Sequence, residues 1–268
     1  MSVLLAATVV VLVSAALWDA FVRTPRSRSR AAATPPPAVT TTPPAESAAP
    51  RPPAPAVAPP QAAPPPDAAT EGTSYMVLLA RSEIRRRIRA SAGLTYLNEV
   101  VAESQDSMLH RWDDRVSRPV RVYLSRGQVA NFRPAFLDAV RRAFERWADA
   151  GVPVRFNLDA DSSSAEVRFQ WRIQFEGERS GETELRWDQD GHLTSGVVTL
   201  ATFDPKGQPF GEDDIRVVAL HEIGHLIGLD HCSDSTDLMF ATTKVRDLSA
   251  RDIQTALLLY QLAPGSLR

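Results

Sequence analysis

The sequence predicts an α+β, or mixed α/β, fold for the C-terminal part of the chain. Segments in which polar and apolar residues alternate, as in half-buried strands, occupy the middle of this part. Two segments with apolar residues at three- and four-residue spacing, as in helices, come after them. Because runs of strands precede the final helices, the order of elements indicates this class.

The N-terminus is an apolar segment that predicts export. Ser2–Trp18 is a run of 17 uncharged, mostly apolar residues, and a membrane-spanning helix needs about 17–25. We therefore predict that residues 1–22 are a membrane anchor or a signal peptide, and that the protein is membrane-anchored or secreted, outside the cytoplasm. The anchor is favoured because no basic residues precede the run, although Ser14–Ala16 offers small residues for cleavage. Arginines follow the run, so its orientation stays open.

A proline-rich spacer separates this segment from the rest. Fourteen of the 21 prolines lie between Pro35 and Pro66, with no aromatic residue among them. Such a composition cannot bury a core, so residues 23–74 are predicted to be a disordered Pro/Ala-rich linker. The net charge of −2 and the single cysteine, Cys232, predict neither a nucleic-acid partner nor a disulfide within the chain.

Residues 75–110 are predicted to be helical. "MVLLARSEIRRRIRASAGL" and "TYLNEVVAESQDSMLHRW" both carry apolar residues at helical spacing. The segment is interpreted as a prodomain-like or accessory element that precedes a domain of residues 111–268. The arginines between Arg85 and Arg89 are most simply a solvated helix face.

Strands and helices then alternate along the domain. Alternating patterns predict strands at Arg118–Leu124, Pro153–Leu158 and Ala165–Phe175, and two strands within Gly181–Thr202 around a turn at Asp188–Gly191. Apolar periodicity predicts helices at Phe132–Gly151, Asp213–Leu229 and Leu248–Leu262. Ser249 is a suitable N-cap for the last of them.

The segment "HEIGHLIGLDH" has the spacing of a metal site. His221 and His225 lie four residues apart, so both imidazoles project from one helix face and can bind one ion. Glu222 is placed to hold a metal-bound water rather than to bind the metal. Gly228 allows a left-handed turn, after which His231 can return as a third ligand. Three histidines leave one position for water, which is typical of a catalytic zinc site with one ion.

The competing interpretation is a helix that carries histidines for other reasons. Val217, Leu220, Ile223 and Leu226 make the helix largely apolar and therefore buried. Buried polar side chains need partners, and a metal provides one. The spacing therefore favours the zinc site.

These residues resemble the signature of the metzincin metallopeptidases, HExxHxxGxxH followed by a methionine-containing turn. Here the methionine is Met239, in "CSDSTDLMF". The form of the motif is most similar to the matrixin branch, and the resemblance extends over about Arg111–Leu262. It implies a metzincin-like catalytic domain with a twisted, mostly parallel five-stranded sheet, an antiparallel edge strand, an active-site helix and a C-terminal helix.

The resemblance also implies the chemistry. The protein would be a zinc endopeptidase acting on proteins or peptides, with His221, His225 and His231 as zinc ligands. Glu222 would be the general base for the zinc-bound water and then the acid for the leaving amine. Met239 would form an apolar floor beneath the metal. A strand within Thr183–Trp187 would pair with the substrate, and the loop Phe240–Asp247 would line the specificity pocket.

Several features depart from the family or stay open. Cys232 follows the third histidine, so the cysteine switch of a latent propeptide is absent. His110 and His192 are the only other histidines, and no second, structural zinc is predicted. Calcium near Asp204 or Glu212–Asp214 is an unsupported alternative, because acidic loop residues are most often solvated. A catalytically silent, zinc-containing binding module is the alternative function, which an intact Glu222 disfavours.

Overall fold

The computed structural model describes residues 74–104 and 107–267. The predicted anchor or signal peptide (residues 1–22) lies outside this part of the chain, as does the predicted linker (residues 23–74) apart from Ser74. Within the described ranges, no helix combines the length and apolar character needed to cross a bilayer.

The described residues form helices and strands in the order that the sequence pattern indicates. The helices are α1 (Tyr75–Ala90), α2 (Leu97–Glu103), α3 (Ala135–Asp149), α4 (Glu212–Leu226) and α5 (Ala250–Gln261). The strands are β1 (Met108–Leu109), β2 (Arg115–Leu124), β3 (Val154–Asn157), β4 (Val167–Arg172), β5 (Gly181–Trp187), β6 (Leu193–Ala201) and β7 (Gly265–Ser266).

The central sheet has five strands in the order β3-β2-β4-β6-β5. Strands β3, β2, β4 and β6 are parallel to their neighbours, whereas β5 pairs antiparallel with β6 at one edge. The turn between β5 and β6 contains Gly191 at φ +84°, within the predicted turn Asp188–Gly191. The predicted fold class, a mostly parallel five-stranded sheet with an antiparallel edge strand, is confirmed.

One prediction about the segment before the domain was partly wrong. Residues 75–110 are helical only as far as Glu103, because Met108 and Leu109 form β1 and pair with β7 near the C-terminus. The apolar spacing of Leu109 and Trp112 resembles one turn of a helix, but both side chains are buried from an extended segment. This short sheet joins the segment before β2 to the C-terminal end of the described chain.

Helices α3 and α4 pack against each other and against the sheet. On α3, the predicted core residues Phe136, Val140, Phe144 and Trp147 are all buried. Helix α4 is buried along nearly its whole length and lies against β5 and β6. The helix that carries the histidines is therefore a central element of the core.

Three aromatic side chains hold the backbone of α4. The indole Nε1 of Trp147 donates to the carbonyl oxygen of Leu220, and that of Trp112 donates to Leu226, both at 2.9 Å. The Tyr260 hydroxyl donates to the carbonyl oxygen of Ile227 at 2.9 Å. Carbonyl groups at the C-terminal end of a helix lack partners within the helix, so Trp112 and Tyr260 satisfy groups that would otherwise be buried without one.

Candidate metal centre

The three histidines of the predicted metal site come together in the structure. His221 and His225 lie on α4, and His231 lies on the chain that returns after it. The Nε2 atom of His221 is 3.2 Å from Nε2 of His225 and 3.3 Å from Nε2 of His231. Ligand atoms of the three residues all lie within 4.8 Å of one another. The predicted ligands therefore converge through one type of ring nitrogen.

Hydrogen bonds on the opposite ring nitrogens orient two of these imidazoles. The Nδ1 atom of His221 lies 2.8 Å from the carbonyl oxygen of Leu238, and Nδ1 of His225 lies 2.9 Å from that of Leu229. A carbonyl oxygen can only accept, so each Nδ1 carries the proton. Each Nε2 then has its lone pair available at the shared centre, which is the arrangement of metal-bound histidines.

Burial keeps two of the three imidazoles neutral. Removal from water, reinforced by the neighbouring imidazoles, holds the pKa of His221 well below its usual range. Burial and His225 lower the pKa of His231 to about 3. These side chains are therefore uncharged at neutral pH, as a metal ligand must be.

The spacing of the nitrogen atoms fits zinc. Nitrogens bound at 2.0–2.1 Å to a tetrahedral ion lie about 3.3–3.4 Å apart, and the two measured Nε2 separations are 3.2 and 3.3 Å. Imidazole lone pairs that converge at this distance would repel one another without a cation between them. The donor set and its spacing thus match a three-histidine zinc centre with a fourth position open.

Gly228 and Met239 occupy the supporting positions predicted from the sequence. Gly228 has φ +102°, directly after the end of α4, and turns the chain towards His231. Met239 is fully buried and its side chain packs against the backbone of Gly224, one residue before His225. Met239 therefore forms part of the apolar layer under the helix face that carries the histidines.

Glu222 lies on α4 beside His221 and is only 1% exposed. Burial raises the pKa of its carboxyl group above the usual range. The Oε2 atom accepts a hydrogen bond of 2.6 Å from the hydroxyl of Thr183 on β5. The site thus places one buried, proton-accepting carboxylate next to the cluster of imidazoles.

Sequence patterns did not indicate the residues that support the site from other segments. Thr183 contacts Glu222 from the edge strand, and Thr243 places its hydroxyl 3.2 Å from Nδ1 of His221 while donating to the carbonyl oxygen of Leu238. Both threonines are buried. Thr243 belongs to the loop Phe240–Asp247, which the family resemblance had singled out, but neither threonine is part of a motif.

Three of the four carboxylates considered for calcium, Asp204, Asp213 and Asp214, have protein partners. Asp204 accepts backbone hydrogen bonds from Lys206 and Gln208, and Asp213 and Asp214 pair with Arg246. One further group that could hold a metal, Asp188, Asp190 and His192, is exposed in the β5–β6 turn. There, Asp188 accepts the backbone N–H groups of Asp190 and His192, so the turn itself accounts for that carboxylate.

Cys232 is a packed side chain beside the third histidine. It is buried, and its thiol points to the backbone oxygen of Asp234 and to Oδ2 of Asp237, each at 3.7 Å. Burial and the carboxylate of Asp237 raise the pKa of this thiol. A thiol that stays protonated is a poor nucleophile, so a packing role suits the surroundings of Cys232.

Comparison with known proteins gives the same family as the motif. The matrixin family model matches residues 128–261, which include α3, β3 to β6, α4 and α5.

Three curated proteins are similar to this chain over part of their length. Metalloendoproteinase 1-MMP of Arabidopsis thaliana is 30% identical over 133 residues, which are 45% of this chain and 36% of that protein. Probable matrix metalloproteinase 095L of Invertebrate iridescent virus 3 is 29% identical over 48% of this chain and 38% of that protein. Metalloendoproteinase 1 of Glycine max is 27% identical over 48% and 47%, respectively. The chain spans less than half the length of each.

Proposed function

The chain belongs to the matrixin family of metallopeptidases, and from this premise we propose that it is a zinc-dependent endopeptidase that hydrolyses peptide bonds of protein substrates. One observation carries the proposal. Three imidazole Nε2 atoms converge at the spacing of zinc ligands, and a buried carboxylate follows the first of them on the same helix. Zinc binding alone would not require this carboxylate, whereas attack by a metal-bound water requires a nearby group that takes its proton.

His221, His225 and His231 are the proposed zinc ligands. The hydrogen bonds to Leu238 and Leu229 hold two of these rings in the required tautomer before any ion binds. When bound, zinc supplies a Lewis acid that polarises the scissile carbonyl and acidifies water. The protein would leave one coordination position open, and it holds the histidine rings in an orientation that does not need to change when zinc binds.

Glu222 is the proposed general base and acid. It takes a proton from the attacking water as the new C–O bond forms at the scissile carbonyl carbon. It then returns that proton to the amine as the C–N bond breaks, so one water is consumed and Glu222 ends as it began. The raised pKa of its carboxyl group suits this exchange, because a base is most effective when its pKa approaches the working pH.

Strand β5 is the proposed site of substrate alignment. It is the last strand of the sheet, and β6 occupies only one of its sides. An extended peptide can add to such an edge through backbone hydrogen bonds. Because β5 also contacts α4 through Thr183, a peptide paired with it would lie beside the helix of the metal centre. The loop Phe240–Asp247 is the proposed lining of the specificity pocket.

An exported location stays a prediction. It depends on the apolar run Ser2–Trp18, which lies outside the described residues. A protein substrate is compatible with an extracytoplasmic location but does not require one.

The test measures zinc content and cleavage of an unstructured protein, such as casein, in the wild type and in Glu222→Gln. We expect both proteins to hold one zinc ion and the variant to lose at least about 10²-fold in kcat, because general acid–base catalysis contributes about 10²–10⁴-fold. The exposed Glu145→Gln on α3 is the matched control and should keep wild-type activity. Bound zinc without cleavage in the wild type would favour the silent binding module, and a wild type without zinc would contradict both functions.

A further inference from the structure

The side of strand β5 that packs against α4 contacts the side chain of Glu222. Gly181 and Thr183 lie two residues apart on β5, so they face the same side of the sheet. Both are buried, and this side meets α4. The intervening Glu182 is more accessible and pairs with Arg179. The residues that face Glu222 are therefore a glycine and a threonine. The threonine can donate a hydrogen bond, and the glycine leaves space.

Thr183 provides a directed hydrogen bond. Its hydroxyl lies 2.6 Å from Oε2 of Glu222 and 3.2 Å from the backbone carbonyl oxygen of the same residue. An ionised carboxylate only accepts, so the threonine is the donor. Hydrogen bonds to an ionised acceptor are short and strong, and the 2.6 Å contact has this character. The bond fixes one carboxylate oxygen and leaves the other for proton transfer.

Gly181 provides space. A Cβ atom added at this glycine would lie 2.7 Å from both Cγ and Cδ of Glu222 and would also collide with Oε1. Carbon atoms in contact need about 3.5–4.0 Å. Any larger residue at position 181 would push the carboxylate away from the strand and off the oxygen of Thr183. The side chain of Glu222 thus occupies a recess that exists because residue 181 has no side chain.

We infer that Gly181 and Thr183 are positioning residues that hold the carboxylate of Glu222 for proton transfer. The inference rests on the proposed peptidase function and adds that the strand proposed to align the substrate also orients the base. Backbone groups of β5 would hold the peptide, while the recess at Gly181 and the hydroxyl of Thr183 hold Glu222. A small error in the placement of a catalytic group lowers the rate strongly. Because one strand would hold both the substrate peptide and the carboxylate of Glu222, their relative position would stay fixed.

The first test replaces the hydroxyl. Thr183→Val keeps the shape of the side chain and removes the donor, whereas Thr183→Ser keeps the donor. We expect Thr183→Val to lower kcat about 10- to 100-fold, a part of the general-base contribution, with little change in KM and full zinc content. Thr183→Ser should stay within about threefold of the wild type, since the bond persists. The control is Thr194→Val on β6, where the exposed hydroxyl donates to Arg186. It should leave kcat unchanged.

The second test fills the recess. Gly181→Ala should lower kcat by at least as much as Thr183→Val while zinc content stays complete, because the displaced group is the base and not a ligand. A Gly181→Ala protein that is folded, loaded with zinc and as active as the wild type would overturn the role of the recess. A Thr183→Ser protein as slow as Thr183→Val would show that the residue acts through packing instead of through its hydroxyl.

A third measurement does not depend on activity. Urea unfolding of the zinc-loaded wild type, Thr183→Val, Glu222→Ala and the double variant gives the coupling between the two side chains. We expect a coupling of about tenfold or more in the unfolding equilibrium constant, the size of a hydrogen bond to a charged group. Additive effects would overturn the contact itself. A wild type that binds zinc and shows this coupling but cleaves no protein would instead contradict the proposed function, and with it the catalytic role of the strand.

Discussion

Gly228 connects the two parts of the metal centre. Two histidines precede it on α4, and the third follows it on the returning chain. Its φ of +102° lies in the left-handed region, and a Cβ atom at this position would also collide with the carbonyl oxygen of His110. Two separate constraints, backbone conformation and space, therefore require glycine here.

Replacement of Gly228 should cost both stability and metal. We expect Gly228→Ala to lower the free energy of unfolding by more than about 2 kcal/mol, the sum of left-handed strain and a collision with backbone. Zinc content should fall because His231 can no longer return to its place. Urea unfolding and metal analysis measure the two effects.

The exposed Gly207 provides a matched control for this prediction. It also has a positive φ, +80°, but an added Cβ would meet nothing within 4 Å. Gly207→Ala should cost only the conformational strain, about 1–2 kcal/mol, and should keep its zinc. Equal losses of stability and full zinc content in both variants would contradict the role assigned to the collision with His110.

The predictability of the site residues depends on where their partners lie in the chain. His221, Glu222, His225, Gly228 and His231 lie within eleven residues, so helical periodicity relates the first three in space and the turn at Gly228 accounts for the return of His231. Thr183 and Thr243 reach the same centre from segments 39 and 22 residues away. The alternation along β5 shows that Gly181 and Thr183 share a face, but no pattern in the sequence states which helix that face meets.

Helix α4 is held by side chains from three other segments. These side chains donate to carbonyl groups in its second half and just after its end: Trp147 to Leu220, Trp112 to Leu226 and Tyr260 to Ile227. A buried carbonyl group without a partner costs about 1–3 kcal/mol, so these bonds support the helix where it carries the histidines. The alignment of the metal ligands is in this sense a property of the packing around α4 as well as of its sequence.

Trp112→Phe tests this support. The variant keeps an aromatic ring in the core but removes the donor to Leu226, so we expect a loss of about 1–3 kcal/mol in the free energy of unfolding. Zinc affinity should also fall, since the end of α4 sets the position of the turn to His231. Trp171→Phe is the control, because its indole donates to Ser125 in the sheet. If both variants lose stability but keep their zinc affinity, the bond to Leu226 does not position the metal centre.

Element boundaries were predicted less well than the elements themselves. Helix α3 begins at Ala135, with Pro134 as its N-cap residue, rather than at Phe132. A proline is tolerated at a helix start but disfavours helical conformation in the residue before it. Helix α4 ends at Leu226, before the predicted Leu229, because the left-handed turn at Gly228 interrupts the pattern. In both cases the apolar periodicity extends beyond the residue at which backbone geometry starts or stops the helix.

At the scale of the molecule, the helices before the domain are attached to its metal-binding half. Tyr96, which is fully buried just before α2, donates through its hydroxyl to Oδ1 of Asp252 at 3.0 Å. The carboxylate of Asp252 also accepts the backbone N–H groups of Leu238 and Met239. One buried carboxylate thus links the segment 75–104 to the turn that contains Met239.

Further contacts extend this attachment. Arg85 donates to the carbonyl oxygen of Leu267, and Arg87 to the side chain of Gln261, so at least these two members of the arginine cluster bind the C-terminal end of the domain. Glu99 accepts the backbone N–H of Ser233, two residues after the third histidine. The prodomain-like and accessory interpretations of this segment differ in whether it can be removed, and these contacts favour an accessory element.

Removal of the segment distinguishes the two interpretations. A chain of residues 74–268 keeps every contact described above and should unfold at the same urea concentration as the full chain. A chain of residues 107–268 loses the buried side chains of Ile88, Tyr96, Leu97 and Val100. At about 1.5–3 kcal/mol for each side chain, the loss is about 6 kcal/mol or more, comparable to the whole stability of a typical domain. We therefore expect the shorter chain to lose cooperative unfolding and zinc.

Tyr96→Phe is the conservative counterpart, because it removes only the hydroxyl that reaches Asp252 and should cost about 1–3 kcal/mol. A removable prodomain gives the opposite result, since the chain of residues 107–268 would then stay folded, keep its zinc and cleave protein faster than the full chain. The buried position of Tyr96 argues against that outcome. A segment that completes the hydrogen bonds of the turn that contains Met239 stabilises the folded domain, and its loss leaves the carboxylate of Asp252 with one donor fewer in the core.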